Sequence, residues 1–196
     1  MSRIDTIFEV IFLAGFVIGS VVRKVYTVPS RHNKAIKKRK STLDIVLVGL
    51  SGVGMAMPLV YLFTPWLDVA EYPLPTWLSW LGAVVFAGAV VLLWRSHVDL
   101  GRHWSPTLQI RPEHTLITHG VYRYIRHPMY AAHLLWAIGQ GLLLPNWLAG
   151  WIFFVTFIPF YLYRAPKEER LMLDEFGDDY RQYVKRTSGM IPCIWK

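Results

Sequence analysis

The sequence predicts an all-α integral membrane protein with five transmembrane helices, the last two of which form a helical hairpin. Three observations predict this fold. Of the 196 residues, 54% are hydrophobic and only 17% are charged, against roughly 25% charged residues in soluble domains. Long uncharged segments recur along the chain, and a bilayer crossing needs about 20 apolar residues as helix. The basic residues fall almost entirely in alternate connections between these segments.

The first three spans are read from separate uncharged runs. Val10–Val22 carries no charge, and Arg23-Lys24 follows it as a stop signal. Because no small-residue cleavage site comes after this run, we expect a span rather than a cleaved signal peptide. The second and third spans are predicted at Ile45–Leu67 and Pro75–Trp94, which are also uncharged.

The fourth and fifth spans come from one longer run. Pro128–Tyr163 is uncharged over 36 residues. As a single helix it would measure about 54 Å at a rise of 1.5 Å per residue, which is too long for one crossing of a hydrocarbon core of roughly 30 Å. Pro145-Asn146 divides the run near its middle. We therefore predict a hairpin of two short spans that turns at this dipeptide.

The net charge of +8 is distributed unevenly along the chain. Residues 23–40, residues 95–127 and the tail from residue 164 together hold 20 of the 21 Lys and Arg. With five spans these segments lie on one side of the membrane, whereas the loop around Asp68 and Glu71 has no basic residue. The positive-inside rule then predicts a cytoplasmic C-terminus and an N-terminus outside. This pattern favours membrane lipids over nucleic acid as partners.

Cysteine and histidine content argues against a metal centre. The single cysteine, Cys193, excludes internal disulfides and cysteine-based metal sites. Five of the seven histidines fall in the third loop. Their spacings match none of the clustered boxes, such as H-x-x-x-H, that bring imidazoles together on one helical face. We expect no metal, and metal analysis of the purified protein tests this expectation.

The densest polar patch, residues 120–130, precedes the fourth span and reads GVYRYIRHPMY. Tyrosine and arginine are typical of the head-group level, so an interfacial anchor explains part of it. His127-Pro128 needs another explanation, because a proline that opens a helix leaves the first amide groups exposed. Such a helix start can bind an anionic or polar ligand group.

Arg164 and Glu168 lie four residues apart at the other end of the predicted hairpin. Taken alone, a snorkelling arginine and a solvated glutamate would explain them. The hairpin, however, returns the chain to the face from which it started, so these side chains must lie near the patch at 120–130. Pro166 predicts a bend where the helix leaves the membrane. The tail beyond it predicts an amphipathic helix, with Leu173, Phe176 and Tyr180 at helical spacing.

From about Gln109 to Pro192 the chain resembles the isoprenylcysteine carboxyl methyltransferase family, specifically its compact prokaryotic members. The first 95 residues are similar only as generic spans. Phospholipid N-methyltransferases and sterol reductases share parts of this core, so the resemblance bears more on the fold than on the substrate. The motifs that carry the resemblance are, in order, His114-Thr115-Leu116-Ile117, Gly120-Val121-Tyr122, Arg126-His127-Pro128-Met129-Tyr130, and Arg164 with Glu168-Glu169.

The resemblance implies S-adenosylmethionine as the methyl donor. It implies that Glu168 holds the amino group of this cofactor and that Arg164 holds the carboxylate of the substrate. A lipid or lipidated substrate would enter between helices from the bilayer. The remaining cofactor contacts that the resemblance implies are Gln109, His114, Thr115, Leu116, Ile117, Tyr122, His127, Pro128, Met129 and Tyr130.

The two acceptor types that these relatives use differ in their need for a base. A carboxylate with a pKa near 4 is ionised at neutral pH and needs only alignment with the methyl group. An amine must lose a proton, which calls for a base such as Glu169 or His127.

We therefore predict one integral membrane methyltransferase domain over residues 1–196. Residues 1–95 form three N-terminal spans, and residues 96–196 form a catalytic core in which the cytoplasmic loop and the C-terminal helix build the cofactor site. The predicted reaction is carboxyl O-methylation of a prenylcysteine or a similar lipid-linked carboxylate, in the cell membrane of a prokaryote. The alternatives are N-methylation of an amino phospholipid, a nicotinamide-dependent membrane reductase, and a non-enzymatic membrane scaffold.

Overall fold

Long α-helices dominate the computed structural model, which describes residues 3–31, 37–38, 41–101, 109–110 and 115–191, with the side chains of 7–27, 41–101 and 115–191. Two-residue strands, β1 and β2, pair antiparallel between two connections, and short 3-10 helices occupy Pro65–Ala70 and Gly120–Arg123. The helical class predicted from the sequence is confirmed. The elements are α1 (Arg3–Arg31), β1 (Lys37–Lys38), α2 (Thr42–Phe63), α3 (Thr76–Leu100), β2 (Gln109–Ile110), α4 (Pro128–Leu143) and α5 (Trp147–Arg186).

Three helices in the described part of the chain, α2, α3 and α5, are long and apolar enough to cross a membrane. Large apolar side chains on the outer faces of the helices are exposed, which marks a surface that contacts lipid rather than water. In α5 we take the apolar part, residues 147–163, as membrane-spanning and residues 164–186 as lying outside the membrane. Examples of the exposed apolar side chains are Val17, Val21, Val46, Val53, Val84, Val91, Val155 and Leu162.

The turn of the hairpin lies where the sequence predicts it. α4 ends at Leu143 and α5 begins at Trp147. Asn146, which is fully buried, caps α5 by accepting hydrogen bonds at Oδ1 from the backbone N–H groups of Leu148 (3.0 Å) and Ala149 (2.9 Å). Its Nδ2 donates to the carbonyl of Leu67 at 2.6 Å. The turn is therefore held to the connection between α2 and α3.

The core lies where α1, α3 and α4 meet. The ring of Phe86 on α3 stacks on Phe12 of α1 (centroids 5.3 Å apart) and meets Trp136 of α4 edge-on at 4.7 Å. Gly139 allows α4 to approach α3 closely, since a Cβ there would lie 2.8 Å from Phe86. On the other side of the molecule α2 packs against α5, with Gly54 against the backbone of Phe153.

The predicted bend at Pro166 is not where α5 breaks. The helix runs through both Pro159 and Pro166, and its one non-helical residue is Gly177, with φ of 51°. Both prolines are exposed and the backbone dihedral angles around them stay helical, whereas a positive φ cannot continue a right-handed helix. The amphipathic tail is thus continuous with the last span as far as Gly177.

Candidate active site

One cavity of about 480 Å³ lies among the five helices and the segment that precedes α4. Its volume falls within the range of small-molecule sites, about 300–1,000 Å³. We call the end near the start of α4 the polar end and the opposite end the apolar end. The polar end is lined by Thr115, Leu116, Ile117, Tyr122, Arg126, His127, Arg164, Glu168, Tyr180 and Tyr183, among others. The apolar end is lined by Phe16, Val48, Gly52, Met55 and Phe153, among others. Phe157 and Phe160 lie between the two ends, next to Tyr130.

The structure brings most of the predicted site residues together in this cavity. Arg164 and Glu168 line the same cavity as the patch at the start of α4, as the hairpin prediction requires. His114 lies outside the described residues, and Gln109 is described only in its backbone, which pairs with Lys38. The predicted residues that line the cavity are Thr115, Leu116, Ile117, Tyr122, His127, Pro128, Met129, Tyr130, Arg164 and Glu168. Their roles stay predictions.

Arg164 and Glu168 follow an aromatic stripe on α5 that faces the cavity. Phe153, Phe157 and Phe160 precede them at spacings of three or four residues, so all lie on one face of the helix. Arg164 is 7% exposed, and its guanidinium lies 5.5 Å from the centre of the Phe160 ring. This cation–π contact allows the charge to remain in a mostly apolar wall.

The tyrosines at the polar end lie within the electrostatic reach of Glu168. Burial raises the pKa of Tyr122 well above its usual value, and the nearby carboxylate of Glu168 raises it further. Glu168 also interacts with the hydroxyl of Tyr130. Tyr122 therefore stays neutral, and the two tyrosines present aromatic rings and hydroxyl groups beside the carboxylate of Glu168.

The segment before α4 is fixed to α3 through Asp99. This carboxylate accepts a hydrogen bond from the backbone N–H of Val121 at 2.8 Å and is paired with Arg95 at 3.1 Å. Gly120 has a φ of 58°, and a Cβ on it would collide with Asp99. Only glycine both adopts this positive φ without strain and leaves room for the carboxylate of Asp99. The hydroxyl of Tyr183 donates to the carbonyl of Tyr122 at 2.6 Å, which ties the same segment to α5.

Arg126, His127 and Glu169 form a second connection, which we call the strap. Oε1 of Glu169 accepts hydrogen bonds from Nε2 of His127 at 3.0 Å and from Nε and Nη2 of Arg126 at 3.1 and 3.0 Å. Arg126 also donates to the carbonyl of Thr187. The hydrogen bonds from His127 and then Arg126 outweigh burial and lower the pKa of Glu169 to about 2.

Several cavity residues were not predicted from the sequence, and three of them carry basic or imidazole groups on α1, α3 and α4. Arg23 on α1, His97 on α3 and His133 on α4 all line the cavity. A signal for Arg23 existed, because Phe16, Gly19, Ser20 and Arg23 follow the i, i+3, i+4, i+7 pattern of one helical face. That pattern does not say whether the face meets lipid, protein or a cavity.

Comparisons with known proteins agree with this architecture. The isoprenylcysteine carboxyl methyltransferase (ICMT) family matches residues 80–174. A probable protein-S-isoprenylcysteine O-methyltransferase of Oryza sativa subsp. indica is 35% identical over 118 residues, which cover 59% of this chain and 62% of that protein. The protein-S-isoprenylcysteine O-methyltransferase of Homo sapiens is 31% identical over 121 residues, which cover 61% of this chain and 43% of that protein.

A solved structure shares the fold as well as part of the sequence. It is that of the eukaryotic intramembrane Ras methyltransferase ICMT, and it matches with a TM-score of 0.52 and 26% identity over 80% of this chain and 54% of that one. The chain thus spans less than two thirds of the length of these relatives. The resemblance predicted from the sequence is confirmed, and this family implies a methyl donor.

Proposed function

We propose that this chain, which matches the isoprenylcysteine carboxyl methyltransferase family over residues 80–174, is a membrane methyltransferase that uses S-adenosylmethionine to methylate the carboxylate of a prenylcysteine or a similar lipid-linked acceptor. One observation carries the proposal. Arg164 and Glu168 line a single cavity whose other end is apolar. An anion-binding group, a cation-binding group and a surface for a lipid tail are thus available within one cavity.

The polar end fits the charges of S-adenosylmethionine. Its ammonium group needs an anion, and Glu168 supplies a carboxylate at the cavity wall. Its sulfonium can be stabilised by aromatic rings, which Tyr122 and Tyr130 supply. In this proposal the rest of the cofactor contacts Thr115, Leu116, Ile117, His127, Pro128 and Met129, together with Gln109 and His114 from the loop.

Arg164 is proposed to hold the acceptor carboxylate. A guanidinium offers two parallel N–H donors that match the two oxygens of a carboxylate. When bound, S-adenosylmethionine supplies an electrophilic methyl group, to which a carboxylate oxygen bonds as the carbon–sulfur bond breaks and its electron pair passes to sulfur. The products are a methyl ester and a neutral thioether, so no proton is transferred and the chain needs no general base.

The strap argues against an amine as acceptor. An amine would need a base, and Glu169 and His127 were the candidates. Glu169 accepts three hydrogen bonds from Arg126 and His127, and its pKa is lowered to about 2. A carboxylate with so low a pKa binds protons poorly at neutral pH. The carboxyl acceptor, which needs no base, is therefore favoured.

A direct assay tests the proposed function. The purified full chain is reconstituted in lipid nanodiscs with labelled S-adenosylmethionine and, in parallel, with N-acetyl-S-farnesylcysteine or phosphatidylethanolamine. We expect label to enter the farnesylcysteine as a base-labile ester. Saturable binding of S-adenosylhomocysteine but not of NADPH is expected in the same preparation. Label in the phospholipid alone would overturn the choice of acceptor, and saturable NADPH binding would favour a reductase.

The proposal includes a membrane arrangement of five spans, with α1 and α4 crossing as well as α2, α3 and α5. The whole chain is then one domain of three N-terminal spans and a two-span catalytic core. The N-terminus lies outside and the site faces the cytoplasm of a prokaryotic cell. Cys193, the single cysteine, reports on the arrangement. It should react with a membrane-impermeant maleimide only after the cells are permeabilised, and labelling in intact cells would reverse the orientation.

A further inference from the structure

One face of α1 forms part of the cavity wall, and its charged residue is Arg23. Phe16, Gly19 and Ser20 line the cavity on the same face, and Arg23 lies one turn further toward the polar end. Neither the family match, which begins at residue 80, nor the motifs of the sequence include this helix. Arg23 therefore belongs to the cavity without belonging to the recognised core.

His133 on α4 fixes the direction of Arg23. The Nδ1 atom of His133 lies 2.6 Å from the carbonyl of Met129, and because a carbonyl can only accept, Nδ1 carries the hydrogen. Nε2 of the neutral ring is then an acceptor, and Nη1 of Arg23 donates to it at 3.5 Å, at the long end of a hydrogen bond. The ring of His133 is in turn stacked on Phe157, with centroids 6.1 Å apart. The contact between Arg23 and His133 points the guanidinium of Arg23 from α1 toward α4.

Arg23 and Arg164 place two positive charges on one cavity. Their guanidinium groups are near enough to repel each other, and within the described residues no ion pair joins Arg23 to a carboxylate. Arg23 is exposed and Arg164 is buried, and two like charges beside one cavity favour an anion between them. Glu168 is the one carboxylate that lines the cavity in the described part of the chain, and the proposed function assigns it to the ammonium group of the cofactor. The cavity is thus complementary to a ligand that carries a negative group at its polar end and an apolar tail.

We propose that Arg23 is a second binding residue for the acceptor carboxylate, opposite Arg164. This inference rests on the proposed function and extends it. A carboxylate has two oxygens and about four lone-pair sites, so it can accept from a guanidinium on each side. Once the carboxylate is esterified, its charge is gone and both arginines lose their partner. Arg23 therefore makes the site selective for the anionic acceptor over the neutral methyl ester, and it favours release of the product.

Lys24 provides a matched control for this role. Like Arg23 it is basic and exposed, and it is the next residue on α1, but it does not line the cavity. If Arg23 only anchors the end of α1 in the head-group region, the two residues should behave alike. If Arg23 binds the acceptor, only its substitution should change the selectivity for the carboxylate.

The experiment compares binding of two ligands to four forms of the full chain in nanodiscs: the unmodified protein, Arg23→Gln, Arg23→Lys and Lys24→Gln. The probes are N-acetyl-S-farnesylcysteine and its methyl ester, measured by calorimetry, with S-adenosylhomocysteine as a test of folding. For Arg23→Gln we expect the Kd of the carboxylate to rise about tenfold and that of the ester to change less than about twofold. Arg23→Lys should lie between, and Lys24→Gln should match the unmodified protein.

The outcomes separate this inference from the proposed function. If the protein methylates the carboxylate and Arg23→Gln binds carboxylate and ester as the unmodified protein does, the role of Arg23 is overturned and the function stands. If no methyl transfer occurs but the preference for the carboxylate depends on Arg23 and not on Lys24, the role of Arg23 stands and the function falls. The role of Arg23 is also overturned if Arg23→Gln and Lys24→Gln have equal effects, or if the unmodified protein does not bind the carboxylate.

Discussion

Two regions at the same end of the molecule, the polar end of the cavity and the strap, use the same residue types for different purposes. Glu168 lines the cavity, whereas Glu169, the next residue, is bound to Arg126 and His127. Successive residues of an α-helix are about 100° apart around its axis, so adjacent glutamates face different neighbours. Glu169 pairs with side chains that fix the segment before α4, whereas Glu168 is proposed to meet a ligand in the cavity.

The largest expected effect in this comparison is that of Arg164→Ala. Loss of the guanidinium that holds the acceptor should lower methyl transfer by about 100-fold or more, because charge-assisted bidentate contacts are among the strongest hydrogen bonds. The Kd of S-adenosylhomocysteine should change by less than about threefold. Initial rates with labelled S-adenosylmethionine and calorimetry measure the two quantities. Turnover equal to that of the unmodified protein would remove Arg164 from the site.

Glu168→Gln should weaken binding of the cofactor, in contrast to Arg164→Ala, which should mainly lower methyl transfer. Replacing the carboxylate by a neutral amide of the same shape removes the anion that is proposed to bind the cofactor's amino group. The Kd of S-adenosylhomocysteine should therefore rise about tenfold or more. The control is Glu169→Gln, which changes the neighbouring residue in the same way and should alter this Kd less. An isotherm for Glu168→Gln that coincides with that of the unmodified protein would contradict the assignment.

Glu169→Gln should act mainly on stability. The side chain of Arg126 is 13% exposed, and without Glu169 its charge would lose its carboxylate partner. The free energy of unfolding should fall by about 1–3 kcal/mol. Thermal denaturation in detergent measures the change, and a double-mutant cycle with Arg126→Ala isolates the coupling between the two residues. Additive effects in that cycle would show that the ion pair does not stabilise the strap.

The sequence predicts the helices and the hairpin well because both depend on local signals. The length of an uncharged run limits the number of crossings, and Pro145-Asn146 supplies both a chain reversal and the cap of α5. These properties need no knowledge of the neighbouring helices. The distances inside the cavity depend on how α1 and α5 are rotated about their axes, which tertiary packing decides.

Glu168 and Glu169 illustrate why helix rotation cannot be predicted from local sequence signals. Counting along α5 in steps of three and four from Phe153 leads through Phe157 and Phe160 to Glu168 and passes over Glu169. The sequence therefore contains the stripe, but aromatic residues at helical spacing are equally common in a core without a cavity. Arg23 was interpreted as a stop signal for the same reason. Its position on the cavity follows from the packing of α1 against α3, which no local pattern in α1 encodes.

The smallest expected effect is a dependence of stability on acidic pH that comes from Glu169. The pKa of Glu169 is lowered from 4.5 to about 2 in the folded protein. A carboxylate with a lowered pKa stabilises the fold above its unfolded pKa, and this contribution is lost as the pH falls through the folded value. The difference in melting temperature between the unmodified protein and Glu169→Gln should thus be constant above about pH 5 and shrink as the pH falls toward about 2. If Glu169→Gln kept the acid dependence of the unmodified protein, the acid sensitivity would come from carboxylates outside the strap, and the stabilising role of Glu169 would need another basis.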